Sequence, residues 1–445
     1  MLDPEITHKV VGLINNRKDQ IIGFLQDLVR IPSVMVTGEE KRCQEFVANK
    51  LRSLGCNVDA WEADWETIRR AVSPKTGKSL YVPVESWMPN YEGFRNRPNV
   101  VGVLKGSGGG RSLLMNGHVD VVPAGSAQKW THDPWGGQIS GGMVYGRGAE
   151  DMKAGVAAMI IAIDCIVTAG IKLKGDVILE SVVDEETGGN GTLACLLRGY
   201  RADAGIFTEP TDMEIQVQSC GAQYFKFSVP GKLVHLANKN NGVNAIRKAM
   251  KIIDALDDWE SYRSLKGNVK YPEHSRWTPS FPLECGAISA GSLTSFEIES
   301  PAELCVVGGA YQSMPHESIE DVNNDLKEFI MRVSSTDPWL REHPPKVEFI
   351  GLAYEGATLD SNHPIVGTLA QSFRQALDKE PKVSVGHSGN DMRLYTNHGE
   401  TPSLVFGPGS GRTAHFADEC VSVDQYLDAV KVLATATMNW CGYEG

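Results

Sequence analysis

Residues 113–123, with the sequence LLMNGHVDVVP, decide how the rest of the chain is interpreted. The segment begins as a short apolar run, which predicts a buried strand of a mostly parallel sheet. It then breaks at Asn116 and Gly117 and offers His118 and Asp120, which an extended backbone places on the same side. This arrangement indicates either a functional site at the end of a strand or a core histidine paired with a nearby acid. The acidic and histidine motifs farther along the chain decide between these alternatives.

Length and composition limit the functions that the chain can have. A chain of 445 residues is too long for one ordinary core, so we expect two domains. A formal net charge of −12 argues against nucleic acid or an anionic membrane surface as a partner. The nine cysteines are scattered without any C-x-x-C pair, which favours reduced thiols in a cytoplasmic protein. The first residues lack the apolar core of a signal peptide, and no run reaches the length of a membrane span.

Helices alternating with strands predict an α/β domain. Apolar spacing predicts one helix over residues 4–31, and strands at 100–104 and 112–115 are expected to pair around the glycine-rich turn between them. Two later predicted strands, 176–183 and 204–208, end in acidic residues. In open sheets of this class, ligands bind at the carboxyl ends of the strands.

The pattern changes after about residue 220. Alternating strands and two amphipathic helices predict a small α+β domain inserted at 221–350, and the α/β pattern resumes afterwards. The catalytic α/β domain is thus predicted to comprise residues 1–220 and 351–445. Residues 58–97 form an aromatic, proline-interrupted segment that is either packed surface or part of a binding rim.

Further acidic and histidine motifs match the opening segment in kind. Asp151 precedes a predicted helix and is a candidate ligand or an ordinary helix cap. Glu185 and Glu186 belong to a run of three acids, which is either a solvated turn or a cluster that needs a cation. Glu209 follows the next predicted strand and would alone be an ordinary loop glutamate. His415 lies in a further motif near the end of the chain.

Together these motifs supply two imidazoles and three carboxylates as candidate metal ligands. Such a set suits zinc, with cobalt or manganese as alternatives. Five ligands are too many for one open zinc site and suit two ions about 3.5–4 Å apart that share a carboxylate. Glu185 then remains beside a ligand as a candidate general base for hydrolysis. The five candidates are His118, Asp151, Glu186, Glu209 and His415.

These motifs resemble those of one enzyme family, which includes acetylornithine deacetylase, succinyl-diaminopimelate desuccinylase, aminoacylase and glutamate carboxypeptidase. They run in the family's order and cover most of residues 100–420. The matching strings are GHVDVVP, WTHDPWGGQISGGMVYGRGAEDMKAG, DEETGG, TEP, GVNAI and FGPG followed by AHFADE.

The resemblance implies how the ligands are shared. Asp151 would bridge two divalent metal ions. One ion would also be held by His118 and Glu209, and the other by Glu186 and His415.

The resemblance also implies roles outside the ligand set. Asp120 would orient His118, and Glu185 would take a proton from water and pass it to the leaving nitrogen. The family's inserted domain makes a homodimer, in which His235 would reach the partner's site and help to hold the oxyanion. The alternative for His235 is a plain surface histidine.

Two departures from the family pattern concern the substrate. Residues 292–297 lack the expected asparagine and proline, and Gln312 stands where relatives carry an arginine that binds a carboxylate. Gln312 can form hydrogen bonds but not a charged bidentate clamp. Arg393 and, in the GVNAI motif, Asn244 are further candidate substrate-binding residues, and Arg412 is a weaker one.

The sequence therefore predicts an α/β, mostly parallel-sheet metallohydrolase with an inserted α+β dimerisation domain. Its substrate would be a small N-acyl, N-carbamoyl or ureido compound, whose amide C–N bond is cleaved by a two-metal site. A metallo-dipeptidase or carboxypeptidase is the alternative within enzymes. An inactive metal-binding family member and a protein that binds no metal are the alternatives from other classes, and the presence of Glu185 favours an active enzyme.

Overall fold

The structure, a computed structural model, describes residues 4–88, 90–276, 279–293, 300–315 and 317–444. The helices are α1 (Pro4–Asn16), α2 (Lys18–Val29), α3 (Glu40–Ser53), α4 (Trp65–Arg69), α5 (Ala154–Thr168), α6 (Asn190–Leu197), α7 (Ala245–Lys270), α8 (Ile319–Ser335), α9 (Pro338–Glu342), α10 (Pro364–Leu377) and α11 (Val423–Cys441). The strands up to the middle of the chain are β1 (Asn57–Trp61), β2 (Asn99–Leu104), β3 (Leu113–His118), β4 (Gln138–Ser140), β5 (Met143–Tyr145), β6 (Val177–Val182), β7 (Ala204–Phe207), β8 (Ile215–Gln216), β9 (Gln218–Ser219) and β10 (Gly221–Pro230). The later strands are β11 (Leu283–Ala290), β12 (Leu304–Ser313), β13 (Lys346–Tyr354), β14 (Ala357–Thr358), β15 (Val383–Ser384), β16 (Ser403–Val405) and β17 (Cys420–Ser422).

The main sheet has eight strands among the described residues, in the order β1-β2-β6-β3-β7-β16-β8-β15. Its centre, β6-β3-β7-β16, is parallel. The central strands β3, β6 and β7 are buried at every residue, because helices cover both faces of a parallel sheet. The predicted α/β class with a mostly parallel sheet is confirmed.

Two local predictions are wrong. The helix expected over residues 4–31 is divided into α1 and α2 at Arg17. Strands β2 and β3 do not pair around the glycine-rich turn, because β6 lies between them, antiparallel to β2 and parallel to β3. The turn is bound to the segment before β6 instead: the backbone N–H of Gly106 donates to Oδ1 of Asp176 at 2.9 Å.

A second sheet has its own core. Strands β11-β12-β10-β13 form an antiparallel sheet on which α7 and α8 pack. Buried and half-buried residues alternate along β10, as predicted for a strand with one covered face. The predicted domain boundary between residues 350 and 351 falls inside β13, and the division into domains stays a prediction.

Among the described residues, none of the helices combines the length and the apolar character that crossing a bilayer would require.

The second core generates a stability prediction. Phe227 on β10 is fully buried, and replacing it with alanine should lower the free energy of unfolding by about 3–5 kcal/mol through lost contacts and a cavity. Lys226→Ala, on the opposite face of the same strand, is the control and should change it by less than about 1 kcal/mol. Urea denaturation followed by circular dichroism measures both, and equal effects would contradict the described packing.

Candidate metal centre

The five predicted ligands lie at the carboxyl-terminal edge of the main sheet. His118 is the last residue of β3, and Glu186 and Glu209 follow the neighbouring strands β6 and β7. His415 lies between β16 and β17, and Asp151 lies in the irregular turn before α5. Because β6, β3, β7 and β16 are adjacent and parallel, their carboxyl ends bring these side chains together.

The ligands form two groups that share Asp151. One group consists of His118, Asp151 and Glu209, and the other of Asp151, Glu186 and His415. Within each group the ligand atoms lie within 4.8 Å of one another. Asp151 divides its carboxylate between the groups: Oδ1 lies 3.2 Å from Nε2 of His118, and Oδ2 lies 3.4 Å from Nε2 of His415. Nε2 of His415 is 3.1 Å from Oε2 of Glu186, and Nε2 of His118 is 4.0 Å from Oε2 of Glu209.

The chemistry of the donors fits divalent cations. Burial, together with neighbouring acids, raises the pKa of Glu209 to about 8 and the pKa of Glu185 well above its usual value. A buried oxygen, Oε1 of Glu186, has no hydrogen-bond partner in the described part of the chain. Cations bound between these groups would favour the ionised carboxylates and accept such oxygens as ligands. Imidazole and carboxylate donors together suit zinc and related ions.

Glu185 and Asp120 lie beside the ligands. Oε2 of Glu185 is 3.8 Å from Nε2 of His118, and its side chain is partly open to a cavity. The carboxylate of Asp120 accepts the backbone N–H groups of Glu185 at 3.4 Å and Glu186 at 3.3 Å. Nδ1 of His118 donates to the backbone carbonyl of Asp120 at 2.8 Å, whereas the nearer carboxylate oxygen is 3.6 Å away. Asp120 thus orients the histidine through its carbonyl and uses its carboxylate to hold the neighbouring acidic loop.

A cavity of about 890 Å³ opens over this centre. Glu185 lines it together with the aromatic residues Tyr224 and Tyr354 and the cationic residues Arg276, Lys382 and Arg412. Glu214 neutralises two of these cations: its carboxylate oxygens lie 2.9 Å from Nη1 of Arg276 and 2.6 Å from Nζ of Lys382. Arg412 makes no ion pair with any described residue.

A family model identifies the chain. The model of peptidase family M20/M25/M40 matches residues 114–439. The chain belongs to this family. Membership confirms the predicted resemblance and the predicted enzyme class, a metal-dependent hydrolase of amide bonds.

Two curated M20/M25/M40 relatives carry the same name. An N-formyl-4-amino-5-aminomethyl-2-methylpyrimidine deformylase from Halalkalibacterium halodurans is 27% identical over 462 aligned positions, covering 99% of each chain. The deformylase of that name from Bacillus subtilis is 29% identical over 449 positions, covering 96% of each chain.

Solved structures share the fold at low sequence identity. The di-peptidase Dug1p from Saccharomyces cerevisiae has a TM-score of 0.74 and 14% identity, with 98% of each chain covered. The YXEP protein of Bacillus subtilis, described as a dinuclear metal binding peptidase, has a TM-score of 0.60 and 14% identity, with 95% of this chain and 98% of that chain covered.

Glu150, for which the sequence predicted no role, fixes the loop before His415. Its carboxylate accepts backbone N–H groups of Ser410 at 2.6 Å, Gly411 at 2.9 Å and Thr413 at 2.9 Å. Several N–H donors on one carboxylate hold a loop in a single conformation, because charged hydrogen bonds are the stronger ones. The motif containing Glu150 was recognised, but these partners lie more than 250 residues away along the chain.

Glu419 supports the loop around Asp151 in the same way. Its carboxylate accepts the backbone N–H groups of Gly148, Glu150 and Asp151, each at 3.0 Å, and it pairs with the buried Arg147. Glu150 therefore holds the loop of His415. In the same way, Glu419 holds the loop of Asp151.

Arg97 supports the third loop, which carries Glu185 and Glu186. Its Nη2 lies 2.8 Å from Oδ1 of Asp184, and its Nε lies 2.7 Å from Oε1 of Glu40. The hydroxyl of Tyr91 also donates to Oδ1 of Asp184 at 2.9 Å. The end of the aromatic segment 58–97 is thus packed beneath the site, whereas its Trp87 ring contacts Tyr224 on the cavity wall, with ring centroids 5.5 Å apart.

Two predicted substrate-binding residues have partners within the protein. Arg393 is 4% exposed, donates to the carbonyl of Gly188 at 2.9 Å, and lies 4.6 Å from the ring centroid of Tyr354. Asn244 caps α7 by accepting the backbone N–H of Arg247 at 3.2 Å. Neither side chain lines the cavity over the metal centre, and their substrate-binding roles stay predictions.

Two other predicted residues also lie away from the cavity. Gln312 is on β12, and its buried Oε1 has no partner among the described residues. His235 is exposed, and its Nδ1 accepts the backbone N–H of Ala237 at 3.1 Å. Their roles stay predictions. The departure noted at 292–297 falls largely on residues 294–297, which lie outside the described part of the chain.

The contacts of Glu150 generate a testable prediction for this M20/M25/M40 site. Glu150→Ala should speed amide hydrogen exchange in residues 410–413, because their N–H groups lose a charged acceptor. Metal affinity should fall by about 10- to 100-fold, since the loop also positions His415. Exchange mass spectrometry and chelator competition with Zn²⁺ measure these effects.

The control for that experiment is Glu92→Ala, which removes a carboxylate from an exposed pair with Arg95. It should leave both quantities unchanged. Unaltered exchange at 410–413 in Glu150→Ala would show that the loop does not depend on this carboxylate.

Proposed function

We propose that this chain is a two-metal hydrolase that cleaves the amide bond of a small N-acyl compound and releases an amine and a carboxylate. The observation that carries the proposal is the pair of ligand groups that share Asp151, with Glu185 beside them at the cavity. N-carbamoyl and ureido compounds present the same kind of C–N bond and belong to the proposed substrate range.

Zinc is the proposed ion. One ion would be held by His118, Asp151 and Glu209 and a second by Asp151, Glu186 and His415, the two groups whose ligand atoms cluster. Divalent ions there would activate water for attack and polarise the acyl carbonyl.

Glu185 is the proposed general base. Its carboxylate takes a proton from the attacking water as the new O–C bond forms, and delivers it to the leaving nitrogen as the C–N bond breaks. The raised pKa of Glu185, caused first by burial, suits a group that must hold this proton between the two steps. Asp120 supports this role by binding the backbone of the loop that presents Glu185.

A short acyl group on an amine is the proposed first substrate class. The two curated relatives are named as deformylases of an N-formyl aminopyrimidine, and we extend N-acyl amine hydrolysis to this chain. A dipeptidase or carboxypeptidase is the second candidate, favoured by one observation: Arg412 lines the cavity without an ion-pair partner among the described residues and could meet a carboxylate.

A homodimer through the four-stranded sheet is also proposed. Its edge strand β11 is exposed along most of its length, and Ile288 on that strand is 56% exposed. Leu265 and Val269 on the adjoining α7 are 70% and 86% exposed. An open strand edge beside apolar side chains favours association with another chain. The proposed location is the cytoplasm, where the unpaired cysteines would remain reduced.

Amine release across a panel tests the proposed chemistry. The panel contains N-formyl, N-acetyl, N-succinyl and N-carbamoyl amines and dipeptides, each assayed with Zn²⁺, Co²⁺ and Mn²⁺. Glu185→Ala should lower kcat by more than about 1,000-fold while both metals remain bound, because it removes only the base. His415→Ala should lose metal from one group, measured by plasma emission spectrometry.

The panel also separates the rival functions. A kcat of Glu185→Ala within tenfold of that of the unmodified enzyme would contradict the assignment of Glu185 as the base. A content of less than about one metal ion per chain after gentle purification would count against the proposed two-metal site. Preference for dipeptides over N-acyl amines would favour the second candidate function.

Mixed dimers test whether His235 acts in the partner's site. Chains carrying His235→Ala and Glu185→Ala are each expected to be inactive, but a dimer containing one of each would have one complete site. Activity should then recover toward half of the wild-type value. The matched control mixes Glu185→Ala with His415→Ala, which leaves no complete site. No recovery, with mixed dimers shown by native mass spectrometry, would mean that His235 does not act across the dimer.

A further inference from the structure

Tyr354 joins the two sheets at the cavity. It is the last residue of β13 and pairs in register with Ala222 of β10, two residues before Tyr224. Tyr224 and Tyr354 therefore lie on the same face of the four-stranded sheet. Both tyrosines line the cavity that Glu185 also lines. The acidic groups come from the main sheet, whereas this aromatic wall comes from the second sheet.

The ring of Tyr354 is held in place by its neighbours. The guanidinium of Arg393 lies 4.6 Å from the ring centroid. Gly389 also packs so closely that a Cβ atom added there would clash with the ring and the hydroxyl. Arg393 is in turn fixed by its hydrogen bond to the carbonyl of Gly188, next to the acidic loop. The phenol thus has one orientation, which its supports determine.

The hydroxyl of Tyr354 has no hydrogen-bond partner among the described residues, and the side chain is only half-buried. The ring is connected to the loop of the proposed base: Arg393, which packs against it, donates to the carbonyl of Gly188, and the backbone N–H of Gly188 donates to the carbonyl of Glu185 at 2.8 Å. An unpartnered donor in the cavity that Glu185 also lines is available to a substrate.

The acyl oxygen of an amide substrate needs such a donor. Its carbon must lie next to Glu185 for the attacking water to reach it, and negative charge develops on the oxygen as the water adds. The surrounding carboxylates only accept hydrogen bonds when ionised, so a donor at this oxygen, beside the polarisation that divalent ions would supply, must come from another part of the cavity wall. A phenol hydroxyl can donate to it without changing its own protonation state.

We propose that the Tyr354 hydroxyl donates a hydrogen bond to the acyl oxygen of the substrate and stabilises the charge that develops there. The phenolic proton stays on Tyr354 throughout, and no bond to the tyrosine forms or breaks. This role rests on the proposed amide hydrolysis and adds a catalytic residue to it. Tyr224 is a less suitable donor, because only the edge-on ring of Trp87, among the aromatic and cationic side chains described, packs against it, whereas the Tyr354 ring is held by Arg393 and Gly389.

Tyr354→Phe tests the proposal, because it removes the hydroxyl and keeps the ring between its supports. We expect kcat to fall by about 10- to 100-fold, with KM changed by less than about threefold, since the bond strengthens as charge develops. Bound metal and melting temperature should stay as in the wild type. Tyr224→Phe, the matched control, should lower kcat by less than about threefold.

A binding measurement separates failure of this inference from failure of the proposed function. Acetohydroxamate carries an acyl oxygen and needs no turnover, and calorimetry on the Zn²⁺-loaded enzyme gives its Kd. Tyr354→Phe should weaken that Kd by about 3- to 10-fold, the value of one neutral hydrogen bond. A wild-type enzyme inactive on the whole panel contradicts the proposed function, whereas this Kd comparison still decides the role of Tyr354.

Three results would overturn the proposal. The first is an unchanged kcat in an active Tyr354→Phe enzyme, and the second is an unchanged Kd for acetohydroxamate. The third is an equal loss of kcat in Tyr224→Phe, which would indicate a general effect of wall polarity in place of one fixed donor.

Discussion

The crowding of negative charge at the carboxyl edge of a parallel sheet is the constraint on which the rest of the structure depends. Among the described residues, Asp151, Glu185, Glu186 and Glu209 converge there on two histidines. Carboxylates at such distances repel one another, so the loops that carry them cannot be held by their own side chains. Each loop is fixed from outside the cluster instead. Asp120 and Arg97 hold the loop after β6, and the carboxylates of residues 150 and 419 hold the loops around the shared aspartate and the second histidine.

This support consists mainly of backbone N–H groups donating to carboxylates. The arrangement adds further negative charge near the site, yet each supporting carboxylate is satisfied by several donors that cannot titrate. Glu419 is also paired with the buried Arg147, which removes its charge from the balance of the ligand cluster. The supporting acids and the ligand acids are therefore chemically alike but differ in partners. The supporting acids Glu150 and Glu419 are bound by several protein donors, whereas Glu186 keeps one buried oxygen without a partner among the described residues, which suits it to bind a cation.

The clustering of the five proposed ligands could be predicted because each lies in a short motif, and because His118, Glu186 and Glu209 follow predicted strands whose carboxyl ends are adjacent in a parallel sheet. The supports could not be predicted, since Glu150 binds residues 410–413 across a distance of more than 250 residues in sequence. Pairing of β2 with β3 was predicted from their proximity in the chain, but β6 enters between them from farther along. Arg393 shows the same limit at the level of a side chain. Its charge suggested a carboxylate-binding role, and only the structure shows that its guanidinium donates to Gly188 and packs against the ring of Tyr354.

The cations of the cavity wall have a consequence for the substrate. Glu214 neutralises Arg276 and Lys382, whereas Arg412 has no ion-pair partner among the described residues. Two of the three arginine and lysine side chains that line the cavity are thus neutralised within the protein. A negatively charged acyl group would be repelled by the carboxylates of the centre. Few cations remain to offset the resulting cost in binding free energy. A small uncharged acyl group avoids this cost, and it needs only a neutral donor at its oxygen, which the fixed phenol on β13 provides. We therefore expect short neutral N-acyl amines to be better substrates than those with an acidic acyl chain.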